Sequence, residues 1–269
     1  MADRPALEVS PFAPDALVDG LEQRFPGAVI HLQVAPTARR GAQVAQSIDR
    51  IAATRDLRQG IVLIGGDAAE HAQLEASGLA GAAIGCTAGD GGLPSATVDV
   101  ARLAERLVEH AERLDAGRIV PFTTSPSPDA RALLDLLHAA LPGAAAPIAA
   151  SAELGAAALA PQLSEGRRPT LVVCPCAADW NAVEAAAAIA GRRPGTDVFG
   201  AVRRTTDARS GVAAIEPRDA AAFFEWLARV LRGTAPEGER RLAIHEEPLT
   251  SALRAKKKVS TASLDAAMS

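Results

Sequence analysis

Tyrosine is absent from the 269 residues, and all aromatic side chains together make up only 3% of them. The core therefore has to be built from small aliphatic side chains, as where Ala-rich helices lie on Val/Ile strands, and base recognition by ring stacking has little to work with. Cysteine is also scarce: three residues, an odd number in a long chain, make no disulfide framework and fit a reducing compartment. No apolar run approaches the ~18 residues that a membrane helix needs. The opening stretch MADRPALEVS has no basic segment followed by an apolar one, as an export signal would. A soluble, cytoplasmic chain with no membrane contact is expected. A positive excess is missing too, since the formal net charge is −4, so the chain as a whole does not attract a phosphate backbone and direct DNA binding by it alone is disfavoured.

Chemistry-bearing motifs are equally sparse. There is no G-x-x-x-x-G-K-[ST] phosphate loop, no G-x-G-x-x-G after a strand, no H-E-x-x-H and no G-x-S-x-G. Cys174 and Cys176 form C-x-C rather than C-x-x-C, and the histidines at 31, 71, 110, 138 and 245 stand singly, so no metal set is assembled. With no matched base and nucleophile, no enzymatic role and no cofactor are expected; an α/β enzyme using Asp179, Arg131 or Cys176 is the alternative.

What is present is a strand–helix alternation along almost the whole chain. GIVLIGG (60–66) is a continuous apolar run closed by glycines, as in a central parallel strand buried on both faces. GAAIGC, GRIVPF, APIAA, TLVVC, DVFGAV, GVAAIEP and RRLAIH read as further strands, AVIHLQV (28–34) as an early one and ALEVS as a weak first one. Between them lie helical stripes: Leu17, Leu21 and Phe25; Val44, Ile48 and Ile51; Val100, Leu103, Leu107, Ala111 and Leu114 on a long helix near 97–114; Leu133, Leu134, Leu137 and Leu141; and Phe223, Phe224, Leu227 and Val230. Two successive βαβαβ series predict an α/β fold of two Rossmann-like lobes with parallel sheets. The tail from 255 to 269 has no apolar period and is expected to be disordered.

In such sheets ligands bind beyond the carboxyl ends of the strands. Asp179 and Trp180, which follow TLVVC and open an Ala-rich helix, are therefore ligand candidates by position, and Asp179 is equally suited to cap that helix.

Several segments, taken in order, resemble the effector-binding domain of the LacI/GalR family, which is related to type I periplasmic binding proteins. They are SATVDVARLAERLVEHAERLDAGRIVPF, SPSPDARALLDLLHAAL, TLVVCPCAADWNAVEAAAAIAGRRPGTDVFGAV, VAAIEPRDAAAFFEWLARVLRG and LTSALR, together spanning about residues 7 to 254. The resemblance implies a periplasmic-binding-protein-like fold whose two lobes are joined by a three-strand hinge. It puts residues 1–116 plus 209–233 in lobe 1 and 117–208 plus 234–254 in lobe 2. It also implies a small effector in the cleft and a homodimer. Arg131 falls on the family's effector-contacting arginine, and a guanidinium there can make two parallel hydrogen bonds to vicinal hydroxyls or a carboxylate. Ser125 and Ser127 share its loop, Asp99 matches an acidic residue of lobe 1 that also suits a first helical turn, and Ser10 and Phe12 follow the first strand.

The chain departs from the family at Arg204, where an effector-binding aspartate is usual, at Ala178-Asp179 in place of Asn-Asp, and at Glu184 in place of a helix glycine. Arg204 beside Arg131 points to an anionic effector, a sugar phosphate or sugar acid, over a neutral sugar. About six residues precede the first expected strand, where family repressors carry a helix-turn-helix. The expectation is a sensor of the transcription-regulator type without its own DNA-binding head, the rival binding role being an exported solute receptor.

Overall fold

The computed structural model describes residues 14–31, 40–54, 59–85, 92–125, 128–175, 179–202, 217–236 and 240–244. In chain order their elements are α1 (Pro14–Arg24), α2 (Arg40–Ala53), β1 (Gly60–Ile64), α3 (Ala68–Ala76), β2 (Ala80–Gly85), β3 (Ser95–Val98), α4 (Val100–Arg113), β4 (Arg118–Thr123), α5 (Pro128–Ala140), β5 (Ile148–Ala149), α6 (Gly155–Ser164), β6 (Thr170–Cys174), α7 (Trp180–Ile189), β7 (Val198–Val202), α8 (Pro217–Leu231) and β8 (Arg241–Ile244). The strands form two four-stranded sheets, β1-β2-β3-β8 and β5-β4-β6-β7, in which every pairing is parallel. The expected two-sheet α/β architecture is the one observed. Among the described residues no helix is long and apolar enough to cross a membrane.

Parallel strands present apolar residues on both faces and must be covered twice. In the first sheet the two-residue period divides the side chains cleanly. Ile64, Ala82, Ile84, Ala96 and Ile244 meet Phe223, Trp226, Leu227 and Val230 of α8, with Leu17 of α1 in the same cluster. Ile61, Leu63 and Ala83 turn the other way, against Val44 and Ile48 of α2 and Leu74 of α3. In the second sheet Val120, Phe122, Val172, Cys174 and Val198 lie under α6 and α7, where Leu159, Ala160, Val183, Ala186 and Ala187 let the helices come close. With few aromatic residues available, alanine supplies this close packing.

Three expectations are corrected. AVIHLQV is not a strand over Ala28–His31, and its remainder lies outside the described residues, as do ALEVS, residues 211–216 of GVAAIEP and the tail 255–269. The long helix begins at Val100, and Ser95–Val98 before it is a strand that pairs with both β2 and β8. The lobe boundaries move accordingly. Leu103, Ala104, Leu107 and Ala111 of α4 pack with Leu133, Leu137 and Leu141 and with Ile119, Leu171, Val173 and Ala201, on the remaining face of the second sheet. The first passage between sheets is therefore at Asp99, not near 116. Likewise Arg241–Ile244, within the stretch 234–254 expected in lobe 2, belongs to the first sheet. The passage between β7 in the second sheet and α8 over the first falls outside the described residues.

Two predictions follow from the placement of α4. Leu107 and Leu137 are 0% and 1% exposed in one cluster, so Leu107→Ala should cost about 2–5 kcal/mol in urea unfolding. It should be non-additive with Leu137→Ala by about 0.5 kcal/mol or more, and additive with Leu227→Ala in the first sheet's core. On the same helix, partial burial and then the Arg113 guanidinium hold His110 below its ordinary 6.5. The unfolded chain therefore takes up that proton more readily, and the contribution of His110 to stability is complete above pH 6.5 and is lost as pH falls from there toward the folded-state value. The urea midpoint should decline with acidification through this range, and His110→Gln should make the decline shallower.

Candidate functional site

The carboxyl ends of the second sheet's strands come together around one buried carboxylate. Asp179 is 0% exposed, one residue before α7. Its Oδ1 accepts from the Thr124 backbone N–H at 2.6 Å and from Thr124 Oγ1 at 2.7 Å, and its Oδ2 accepts from Thr123 Oγ1 at 3.1 Å. A carboxylate with no access to water requires donors of this kind, because an unpaired buried charge would neutralise itself or unfold the site. Thr123 Oγ1 in turn accepts from the Ser125 backbone N–H at 3.0 Å. One side chain thus holds the chain as it leaves β4, across 55 residues of sequence.

The capping role expected for Asp179 is not the one its side chain plays. Its backbone is already helical, with φ −63° and ψ −22°, and its side chain makes no capping hydrogen bond to α7. Its carboxylate faces the end of β4. The start of α6 closes on the same point: a Cβ on Gly155 would lie 2.6 Å from Thr124 Cγ2 and 3.2 Å from the Phe122 ring, so only glycine admits this approach. Trp180 is half-buried and packs against the core under α6 and α7.

Of the other predicted residues, Ser125 is 7% exposed in the segment tethered by Asp179. Arg131 lies in the first turns of α5 with an exposed side chain. Asp99 is half-buried where β3 passes into α4: its Oδ1 accepts from the Arg102 backbone N–H at 3.0 Å, and its own N–H donates to the Ile244 carbonyl at 2.8 Å. The helical-turn reading of Asp99 is the one its hydrogen bond matches. Ser127, Arg204, Ser10 and Phe12 lie outside the described residues.

The first sheet offers a strand end that sequence reasoning did not single out. Gly65 and Gly66, with φ of 67° and 118°, turn the chain out of β1 in conformations that favour glycine. Asp67 then caps α3 in a reciprocal box, accepting from the Glu70 N–H at 2.9 Å while Glu70 Oε2 accepts from the Asp67 N–H at 3.4 Å. His71, 7% exposed, places Nε2 3.4 Å from the Gly65 carbonyl. Also missed were Thr123, Thr124 and Gly155; the signal available for the first two was the run of hydroxyl residues in FTTS directly after a strand. Among the described residues no group of three or more His, Cys, Asp or Glu converges to hold a metal ion.

No protein-family model and no curated protein matches the chain. Solved structures do. A probable maltose operon transcriptional repressor from Staphylococcus superposes over 95% of this chain and 96% of its own, with a TM-score of 0.66 at 12% identity. A putative ribose operon repressor from Burkholderia thailandensis matches over 88% and 93%, with a TM-score of 0.61 at 18% identity. The lac repressor dimer bound to operator and the anti-inducer ONPF matches over 93% and 91%, with a TM-score of 0.66 at 15% identity. The fold is the one seen in LacI-type repressors. At these identities the likeness fixes the LacI-type architecture, and the composition of the site rests on this chain's own residues.

The clamp gives a direct test. Asp179→Ala removes three hydrogen bonds to a carboxylate and leaves a buried donor at Thr123 and half-buried ones at Thr124, which should cost about 3 kcal/mol or more in chemical denaturation. Asp179→Asn, which keeps one acceptor oxygen, should lose roughly half as much.

Proposed function

We propose that this chain is a small-molecule sensor domain of the LacI type, binding a sugar or sugar derivative between its two lobes and having no enzymatic step of its own. The observation that carries the reading is the match to LacI-type repressors along more than nine-tenths of both chains in the first and third comparisons above. It is supported by the polar strand end built by Thr123, Thr124, Ser125 and Asp179, in a fold whose ligands sit at such ends. Arg131, exposed in the first turns of the helix that follows, is the proposed contact to ligand oxygens. Ser127, Trp180, Asp99, Arg204, Ser10 and Phe12 are proposed to complete the contacts. With Arg204 in place of an aspartate, the preferred effector is a sugar phosphate or sugar acid.

A homodimer is proposed by analogy with the dimeric lac repressor structures. The chain by itself is not proposed to bind an operator, a reading supported by its net charge of −4. Effector binding would then favour one arrangement of the lobes, in proportion to its preference for that arrangement.

A thermal-shift screen of neutral hexoses, hexose phosphates, sugar acids and purines tests the reading. An effector at about 100 times its dissociation constant should stabilise the chain by about 2.7 kcal/mol, and Arg131→Ala should abolish the shift without lowering the unliganded midpoint. Tighter binding of neutral hexoses than of their phosphates or acids would overturn the anion preference, and turnover of any ligand would overturn the non-enzymatic role.

A further inference from the structure

The opposite edge of the second sheet, where its strands begin, carries a feature that effector sensing does not use. The tetrapeptide Gly-Arg-Arg-Pro occurs twice, at 166–169 after α6 and at 191–194 after α7, each time leading toward the next strand. Its glycines and prolines have a structural cause. Gly166 and Gly191 have φ of 84° and 66°, the left-handed conformation that ends a helix, and proline stops the helix from resuming. Nothing in such a turn calls for arginine at both middle positions.

Side-chain contacts bring the two copies together with the start of β4. Arg192 Nη2 donates to the Arg168 carbonyl at 2.7 Å and Arg192 Nη1 to the Gly166 carbonyl at 3.3 Å, so the second motif holds the first. Arg168 runs its aliphatic stem over Gly117, where an added Cβ would lie 2.8 Å from Arg168 Cβ. Arg118, the next residue, opens β4 and pairs with Glu165. Arg193 Nε bonds Asp197 at 3.2 Å, and Arg168 stands 3.8 Å from Asp115. Five arginines thus share one edge with the three carboxylates bonded into it. Arg167, Arg168 and Arg193 are exposed. Asp197 is held below the ordinary carboxylate value first by hydrogen bonds from the Arg193 backbone and side chain and then, to a smaller extent, by the Arg193 and Arg192 charges.

We propose that this arginine edge is a docking surface for a short acidic segment, a run of Asp and Glu, in a partner protein. The surplus of positive charge selects an anion, and the fixed guanidinium of Arg192 keeps the two motifs in register. A short segment is favoured over a nucleic acid because screening confines attraction to about 8–10 Å. A few carboxylates on the edge feel mainly these arginines, whereas a long polyphosphate also meets a chain of net charge −4. The edge lies a strand's length, about 15–20 Å, from the carboxyl ends that form the candidate effector site, so both could be occupied together.

The test is fluorescence anisotropy of the full chain with a labelled aspartate peptide of about eight residues, at about 50 mM and about 300 mM salt. The expected result is saturable binding at low salt that weakens at high salt. Arg167→Ala/Arg168→Ala should lose affinity about tenfold or more with an unchanged thermal midpoint, while Arg102→Ala/Arg106→Ala on α4 should bind like the parent chain. No binding at low salt would overturn the proposal. So would equal affinity in the Arg167/Arg168 variant, an equal loss in the α4 variant, or tighter binding of single-stranded DNA of the same charge.

Discussion

A parallel strand that is apolar on both sides cannot face water on either, and this chain contains two sheets of such strands. Four helical layers are therefore required. The chain provides them in sequence order until α4, which follows β3 of the first sheet but covers the second. That exchange, with the return of α8 and β8 to the first sheet, makes the two halves interdependent. The scarcity of rings shapes the cover, since alanine-rich α6 and α7 lie close on the second sheet while α8 brings Phe223, Phe224 and Trp226 to the first.

The same economy governs the candidate site. The end of β4 is positioned by a single carboxylate taken fully out of water, whose burial is offset in part by the hydrogen bonds from Thr123 and Thr124. Such an arrangement rigidifies the segment that carries Ser125 and leads to α5, as a polar ligand site needs if its donors are to be in place before the ligand arrives.

The strands with continuous Val, Ile and Leu were legible because the apolar pattern states their burial directly; β1, β4 and β6 are of this kind. Strand β3 was not. Ser95-Ala96-Thr97-Val98 is short and half polar, and it runs into Asp99, so it has the look of a helix start while lying buried between two strands. The stripe on α4 announced a helix but could not say which sheet it would cover, so nothing in it corrected the boundary near 116 that the resemblance implied; the packing of α4 puts the passage at Asp99. Asp179 was recognised as important by its position after a strand. Its partners lie 55 and 56 residues away, and no local pattern encodes them.

Asp99 is the one residue between the end of β3 and the start of α4, and two of its groups are committed: its peptide N–H to Ile244 and its carboxylate to the first turn of α4. The connection behaves as a pin rather than a cord. It resists stretching and sliding, and leaves torsion as the compliant direction. Because α4 extends about 21 Å from that point, a tilt of about 5° there carries its far end through about 2 Å. In geometry, a change of dihedral angle at this one residue is enough to move Arg113 by that distance.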